Sequence, residues 1–242
     1  MELINFDLAF AAMSAIAAGI VFGFAGFGSG YVLVPLFSLV FGPVEAVAVV
    51  MMMATIGGVG LTIRTARYAD WKRIAPLAIF SVLMTPVGTM ILLAVDPEIM
   101  RRAVGVAVLL LSVLLMLGIT IDALRNTISA CAAGVLTGLV NGSVGIGGLT
   151  ANIFIMSSEG SAVVQRAGVV VVGSVISAVA VASFAIQNAM DSTTIARALI
   201  LMVPFGITAW CGVRVFRITP GPVFRRIVLA FVMTLGIITL AA

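Results

Sequence analysis

Two glycine-rich stretches interrupt long apolar runs of this sequence, and they limit its fold more than any other feature. The first reads GFAGFGSG over 23–30 and the second reads GSVGIGG over 142–148, with three glycines at the same spacing in each. Each glycine in a helix costs about 1 kcal/mol relative to alanine. At lipid depth, a broken backbone survives only where it is buried in protein or lines a wet cavity. The stretches therefore predict two helix breaks at equivalent places in a membrane protein.

The composition indicates an integral membrane protein, because 62% of the residues are hydrophobic and only 9% are charged, against about 25% charged in soluble domains. The net charge of +4 comes from short basic clusters between apolar runs, which is how membrane topology is encoded. We therefore expect a lipid bilayer as partner and no nucleic acid. Histidine is absent, and Cys131 and Cys211 stand singly in apolar runs. We expect neither a metal nor a cofactor.

The lengths of the apolar runs predict the architecture. The run 8–41 is too long for one span, yet its part after the glycines is too short for a second, since a span takes about 20 residues. A re-entrant helical hairpin solves this. The predicted fold class is an all-α polytopic membrane protein of two inverted repeats, each a re-entrant hairpin plus three transmembrane helices, together forming one membrane domain. The first repeat, 1–122, comprises hairpin 8–41 and helices 44–63, 74–95 and 101–119; the second, 123–242, comprises hairpin 127–158 and helices 162–186, 194–213 and 224–240.

The loop charges predict that the repeats are inverted. Loops 64–73 and 214–226 carry four basic residues each, which places both on the cytoplasmic side. The counterpart of the first loop, 187–197, carries only Arg197. Equivalent loops therefore lie on opposite sides, and both termini are predicted to be periplasmic.

The glycine breaks are also the predicted substrate site. The second half-helix of each hairpin directs free N–H groups and a positive dipole end toward mid-membrane, an arrangement that binds anions. The alternative is that the glycines only allow helices to pack closely. The candidate substrate-binding residues in or beside the breaks are Gly26, Gly28, Ser29, Gly30, Asn141, Ser143, Gly145, Gly147, Gly148 and Asn152.

Polar side chains near helix ends add further candidates. Gln165 and Arg166 join the predicted substrate site, although Arg166 could instead snorkel to the interface rather than pair with an anion. Glu45 either favours the amino end of its helix or couples transport to a proton or cation. Arg197 is expected to be interfacial.

The repeated Gly-x-x-Gly-x-Gly core, Pro35 and the pair Gly134 and Gly138 resemble the TauE/SafE family of sulfite and organosulfonate exporters. The resemblance covers essentially the whole chain. It implies transport of small sulfur-containing anions across the bacterial inner membrane by a multi-pass protein.

The expected function is a secondary transporter, and not an enzyme, that exports a small anion. The substrate would be sulfite or a C2 organosulfonate such as sulfoacetate or isethionate, held at the tips of both hairpins and moved by alternating access. A cation carrier or channel using the same broken helices is the alternative, and a non-transporting scaffold is a further one. The coupling ion and self-association into a homo-oligomer stay open.

Overall fold

The computed structural model describes residues 6–25, 29–117, 126–156, 161–216 and 234. Within these ranges all regular structure is helical, which confirms the predicted all-α class. The elements in chain order are α1 Phe6–Ala25, α2 Ser29–Phe41, α3 Pro43–Thr65, a 3₁₀ turn Ala66–Tyr68, α4 Trp71–Ala94, α5 Pro97–Leu117, α6 Thr127–Val144, α7 Gly148–Met156, α8 Ala162–Ile186 and α9 Ser192–Phe216.

Five of the described helices are long and apolar enough to cross a membrane, namely α3, α4, α6, α8 and α9. Two others are short. Helix α2 has 13 residues and α7 has 9, which correspond to about 20 and 14 Å at 1.5 Å per residue. Neither length reaches across a hydrocarbon core of about 30 Å.

The helix boundaries follow local chemistry. Helix α3 begins at Pro43, directly after Gly42 with φ of 81°; proline suits the first helical position, where its missing N–H is not needed. Helix α6 begins after Asn126, whose side chain accepts a hydrogen bond from the Ser129 N–H at 2.8 Å. This contact satisfies one of the amides that a helix start leaves without a partner.

The nine described α-helices all occupy segments that the sequence predicted to be helical. Segments 44–63, 74–95, 101–119, 162–186 and 194–213 correspond to α3, α4, α5, α8 and α9, and the two predicted hairpins correspond to the pairs α1–α2 and α6–α7. The predicted last helix, 224–240, lies outside the described residues apart from Thr234.

The chain divides into two compact units, and each unit draws on both halves of the sequence. The first unit takes its residues from 1–50, 95–119 and 190–242, and the second from 51–94 and 120–189. Helix α9 of the later half therefore belongs with α1 and α2 of the earlier half. Likewise, α4 of the earlier half belongs with α6, α7 and α8.

In the second unit, α6 runs parallel to α4 at close range. Glycines on α6 replace side chains at the contact, because a Cβ atom on any of them would meet a backbone carbonyl oxygen of α4. The facing pairs are Gly134 with Leu77, Gly138 with Ser81, and Gly142 with Thr85. The numbering rises along both helices in step, so both point the same way.

Helix α7 then returns toward the beginning of α4. Its residues Phe154 and Ile155 line a small pocket together with Asp70, Arg73 and Ile74 from the start of α4. Around these residues lies a buried apolar core drawn from α4, α6, α7 and α8. The chain thus advances along α4 through α6, turns at the glycine break, and comes back through α7.

In the first unit, α1 packs on α9 in a similar manner. A Cβ atom on Gly19 would meet the Thr208 hydroxyl and the backbone oxygen of Phe205. The rings of Phe22 and Phe205 lie 5.5 Å apart between centroids. Helix α2 contacts both α1 and α5.

Candidate functional site

The second glycine break is a tight turn at residues 145–147. Helix α6 ends at Val144, and the following Gly145 has a left-handed φ of 74° and ψ of 13°. The Gly145 N–H donates to the backbone oxygen of Asn141 at 3.0 Å. Glycine adopts this conformation without the strain that a Cβ atom causes. Gly147 lies directly against the backbone of Thr137 and the side chain of Asn141, with no room for a Cβ atom. The turn therefore requires glycine at both places.

Helix α7 begins at Gly148, beside open space. A Cβ atom on Gly148 would have no neighbour within 4 Å. The first intrahelical contact is from the Ala151 N–H to the Gly147 oxygen at 3.3 Å. The amides of a first helical turn point out of the helix end and carry its positive dipole end. The start of α7 therefore has open space beside Gly148 and the polarity to attract an anion.

Asn152 is the most informative side chain near this turn. It is 1% exposed, and neither its Oδ1 nor its Nδ2 atom has a hydrogen-bond partner among the described residues. A buried amide without partners costs several kcal/mol, so such groups are rare in proteins. Side chains in a helix lean toward its amino end, and the residue one turn earlier on this face is Gly148. The carboxamide therefore leans toward the open start of α7.

Other polar groups of this hairpin are engaged within the protein. The Asn141 Nδ2 atom donates to the Ile176 oxygen at 3.2 Å, which ties α6 to α8. The Ser143 hydroxyl donates to the Leu139 oxygen of its own helix at 2.7 Å. Both residues were predicted to bind substrate from the sequence, and in this structure both side chains hold the scaffold of the turn.

Of the first glycine break, the structure describes the two flanking helices, because α1 ends at Ala25 and α2 begins at Ser29. Ser29 begins α2 and Gly30 follows in its first turn, and both are partly buried. Gly26 and Gly28, predicted to bind substrate, lie outside the described residues. Pro35 sits inside α2, where the Ser38 hydroxyl donates to its carbonyl oxygen at 2.7 Å.

Gln165 and Arg166 lie apart from the turn, near the start of α8. Gln165 lines the small pocket at the beginning of α4, together with Asp70 and Arg73. Arg166, the next residue, is exposed. Gln165 therefore lies near the Phe154–Ile155 end of α7, opposite to the end that begins at Gly148.

Glu45 forms an ion pair that sequence reasoning missed. Its Oε1 atom accepts a hydrogen bond from Nη1 of Arg197 at 2.5 Å, and the side chains are 23% and 28% exposed. The guanidinium carbon of Arg197 also lies 4.5 Å from the centroid of the Phe41 ring. The pair joins α3 to α9 inside the first unit. No single-sequence signal points to it, because 152 residues separate the partners.

Comparison with known proteins gives one family. The family model described as sulfite exporter TauE/SafE matches residues 11–239. Neither the curated proteins nor the solved structures contain a match to the chain.

Proposed function

The chain belongs to the sulfite exporter TauE/SafE family, and on this premise we propose that it is a secondary transporter that exports sulfite or a C2 organosulfonate such as sulfoacetate or isethionate. The family consists of transporters rather than enzymes. The multi-pass helical architecture agrees with this role. We propose the bacterial inner membrane as its location.

The observation that carries the proposal is the unpartnered carboxamide of Asn152 beside the amino end of α7. A buried polar group without partners destabilises the protein. A ligand that supplies the missing partners would explain why an asparagine occupies this buried position. The amides and dipole of α7 favour a negative charge in the same place. We propose that Gly145, Gly147 and Gly148 shape this site and that Asn152 binds the anion directly.

We propose that α6 and α7 form a re-entrant hairpin that enters from the cytoplasmic side. Support comes from the parallel packing of α6 on α4, since α4 begins at Trp71, within the basic segment 64–73. The return of α7 toward the start of α4, and its length of 9 residues, agree with entry and exit on one side. In this scheme the repeats are inverted, both termini are periplasmic, and Ser29 and Gly30 at the start of α2 are the counterparts of the α7 site.

The remaining candidates take supporting roles in this proposal. Gln165 and Arg166 lie toward the cytoplasmic end of α8, where an arginine attracts anions to the entrance rather than holding them at the turn. Glu45 is engaged by Arg197, which favours a structural role over proton coupling. Alternating access would then move each compact unit as one body.

The test is transport by purified protein in proteoliposomes. Vesicles loaded with unlabelled sulfite or isethionate should take up labelled anion by exchange, and matched carboxylates should compete weakly. Protein-free vesicles provide the background. Flux of sodium or potassium without any anion dependence would instead support the cation carrier or channel, and the absence of any flux would support a scaffold.

A further inference from the structure

A buried hydroxyl in the same hairpin also lacks a partner, and it deepens the proposed function by restricting the substrate class. Thr137 on α6 is 0% exposed, and its Oγ1 atom has no hydrogen-bond partner among the described residues. No charged residue occurs in α6 or α7. The Thr137 hydroxyl is therefore a neutral hydrogen-bond donor and acceptor, buried in a hairpin without charged side chains.

Thr137 differs from other buried hydroxyls of the described helices in its hydrogen bonding. A serine or threonine in a helix commonly donates to the carbonyl oxygen one turn earlier. Four fully or almost fully buried hydroxyls do so here at 2.7–3.1 Å: Ser81 to Leu77, Thr85 to Ser81, Thr89 to Thr85, and Ser112 to Val108. Thr137 does not make this contact, so its hydroxyl is left to interact with another group.

Thr137 lies beside the same turn as Asn152. The backbone of Gly147 rests against Thr137 and Asn141, and α7, which carries Asn152, starts at the next residue. The Asn141 amide is already bonded to Ile176. Both helices that flank the turn thus hold buried polar atoms without partners: the Thr137 hydroxyl on α6, and the Asn152 carboxamide and the hydroxyl of the half-buried Thr150 on α7.

The hydrogen-bonding groups of Asn152 and Thr137 define which chemical groups a ligand must carry. The Asn152 carboxamide has two N–H donors and one oxygen acceptor, and the Thr137 hydroxyl can donate or accept. Oxygens of a sulfonate or sulfite can accept from the N–H and O–H donors. They cannot satisfy the Asn152 oxygen, which accepts from neither Thr137 nor any other described residue and would accept from an O–H group of the ligand.

We propose, on the basis of the proposed function, that the site takes a small monoanion that carries its own O–H group. Hydrogen sulfite and a hydroxyalkanesulfonate have this chemistry. The sulfite dianion and a plain alkanesulfonate do not. Asn152 and Thr137 therefore determine specificity for the protonated or hydroxylated form of the anion.

The test compares two sulfonates of the same charge and similar size in a binding assay on purified protein. Isethionate carries a hydroxyl at the carbon where ethanesulfonate carries hydrogen. We expect isethionate to bind at least about tenfold more tightly, because a site that hydrogen-bonds a ligand hydroxyl rejects the analogue without it. Substitution Asn152→Leu should reduce this ratio to less than about twofold.

Two further variants separate the role of Thr137 from general damage. Thr137→Val keeps the shape of the side chain and should weaken isethionate binding at least about fivefold, whereas Thr137→Ser should restore it. Thr85→Val is the matched control, because the Thr85 hydroxyl is bonded within α4, and it should leave the ratio unchanged. Equal affinity of wild-type protein for both sulfonates would overturn the inference and leave anion transport standing. Failure to bind or transport any anion would overturn the proposed function itself.

Discussion

Glu45 and Arg197 form a partly buried ion pair in which the carboxylate oxygen and the guanidinium nitrogen lie 2.5 Å apart. The contact joins the first turn of α3 to the second turn of α9, and the Phe41 ring covers one face of the guanidinium group. Two charges that are largely withdrawn from water depend strongly on each other. The pair therefore fixes how the later helix packs in the first unit.

Removal of either partner should destabilise the protein. We expect Glu45→Ala or Arg197→Ala to lower stability by about 1.5–3 kcal/mol, because each change leaves the other charge without its partner. The double variant should lose less than the sum of the two. Thermal unfolding of the purified variants in detergent measures the loss of stability for each single variant and for the double variant.

The chain contains a matched control for this cycle. Glu98 and Arg102 form an ion pair of the same length on α5, but their side chains are 60% and 64% exposed. Glu98→Ala should cost only about 0.3–0.5 kcal/mol, as is usual for exposed pairs one helical turn apart. Equal losses at Glu45 and Glu98 would show that burial contributes nothing to the first pair.

The approximate positions of the described helices follow from the sequence because apolar length and glycine density act locally, although α5 spans Pro97–Leu117 where 101–119 was predicted. Helix α7 starts at Gly148 for the reason that the glycine spacing indicated, and the chain reverses there. The pairing of Glu45 with Arg197 could not be predicted, since it depends on which helices pack together. The sequence also could not predict which helices belong to each compact unit, because helix packing across the two halves leaves no local pattern.

The second helix break lies where the glycine spacing predicted it, whereas the role of each side chain beside it stays a prediction. Asn141 and Asn152 look alike in the sequence, as amides next to a glycine break. The structure separates them, because Asn141 is bonded to a carbonyl of α8 whereas Asn152 has no partner among the described residues. Thr137 was missed, since a threonine in an apolar helix usually bonds to its own backbone.

Glycines on α6 that face α4 should tolerate substitution much less than glycines beside open space. We expect Gly142→Ala to cost about 2 kcal/mol or more, because the new methyl group would meet the backbone of α4 at Thr85 and Thr89, and overpacking typically costs 1–3 kcal/mol. Thermal unfolding measures the effect.

Gly173 on α8 provides the opposite case. A Cβ atom there would meet nothing within 4 Å, so Gly173→Ala should stabilise the protein by about 0.5–1 kcal/mol through helix propensity. Equal changes in stability for Gly142→Ala and Gly173→Ala would contradict the close packing of α4 and α6 through glycine.

A cross-link inside the second unit tests which segments move together. Gly58 on α3 and Ser174 on α8 come from different halves of the sequence but belong to one compact unit. A Cβ atom on Gly58 would lie 3.1 Å from that of Ser174, so a small outward shift of the two helices would bring the pair to the ~3.5–4.5 Å Cβ separation of disulfides. We expect Gly58→Cys/Ser174→Cys, with Cys131→Ala and Cys211→Ala, to keep its transport rate within about twofold after oxidation.

The contrary result would have a clear meaning. If the halves of the sequence were the moving bodies, the cross-link would join them and stop transport. Reduction of the disulfide should then restore the rate. The same variant assayed before oxidation is the control for any effect of the substitutions themselves.

Asp191 should make the start of α9 sensitive to acid. Hydrogen bonds to its carboxylate from the Thr194 hydroxyl at 2.6 Å and the Thr194 N–H at 2.7 Å lower the pKa of Asp191. A lowered pKa in the folded state means that the stabilisation is present above the unfolded pKa of about 3.9. It is lost as pH falls through the folded value.

Asp191→Asn is the comparison, since asparagine caps a helix about as well and does not titrate. The unfolding temperature of the wild type should fall relative to that of Asp191→Asn as pH decreases from 7 to below about 4. The shift should be small because the carboxylate is exposed. A constant difference over this range would contradict a capping role for the charge.

The most direct test of an anion site at the second glycine break is Asn152→Leu, assayed for transport and for unfolding temperature. Leucine has no polar atoms to leave unsatisfied, so the variant should unfold at a higher temperature than the wild type. Anion exchange in proteoliposomes should fall by at least about tenfold, because the ligand loses its direct contact. Asn141→Leu, which removes a bond to α8, should instead lower the unfolding temperature. Wild-type transport rates in Asn152→Leu would contradict the account.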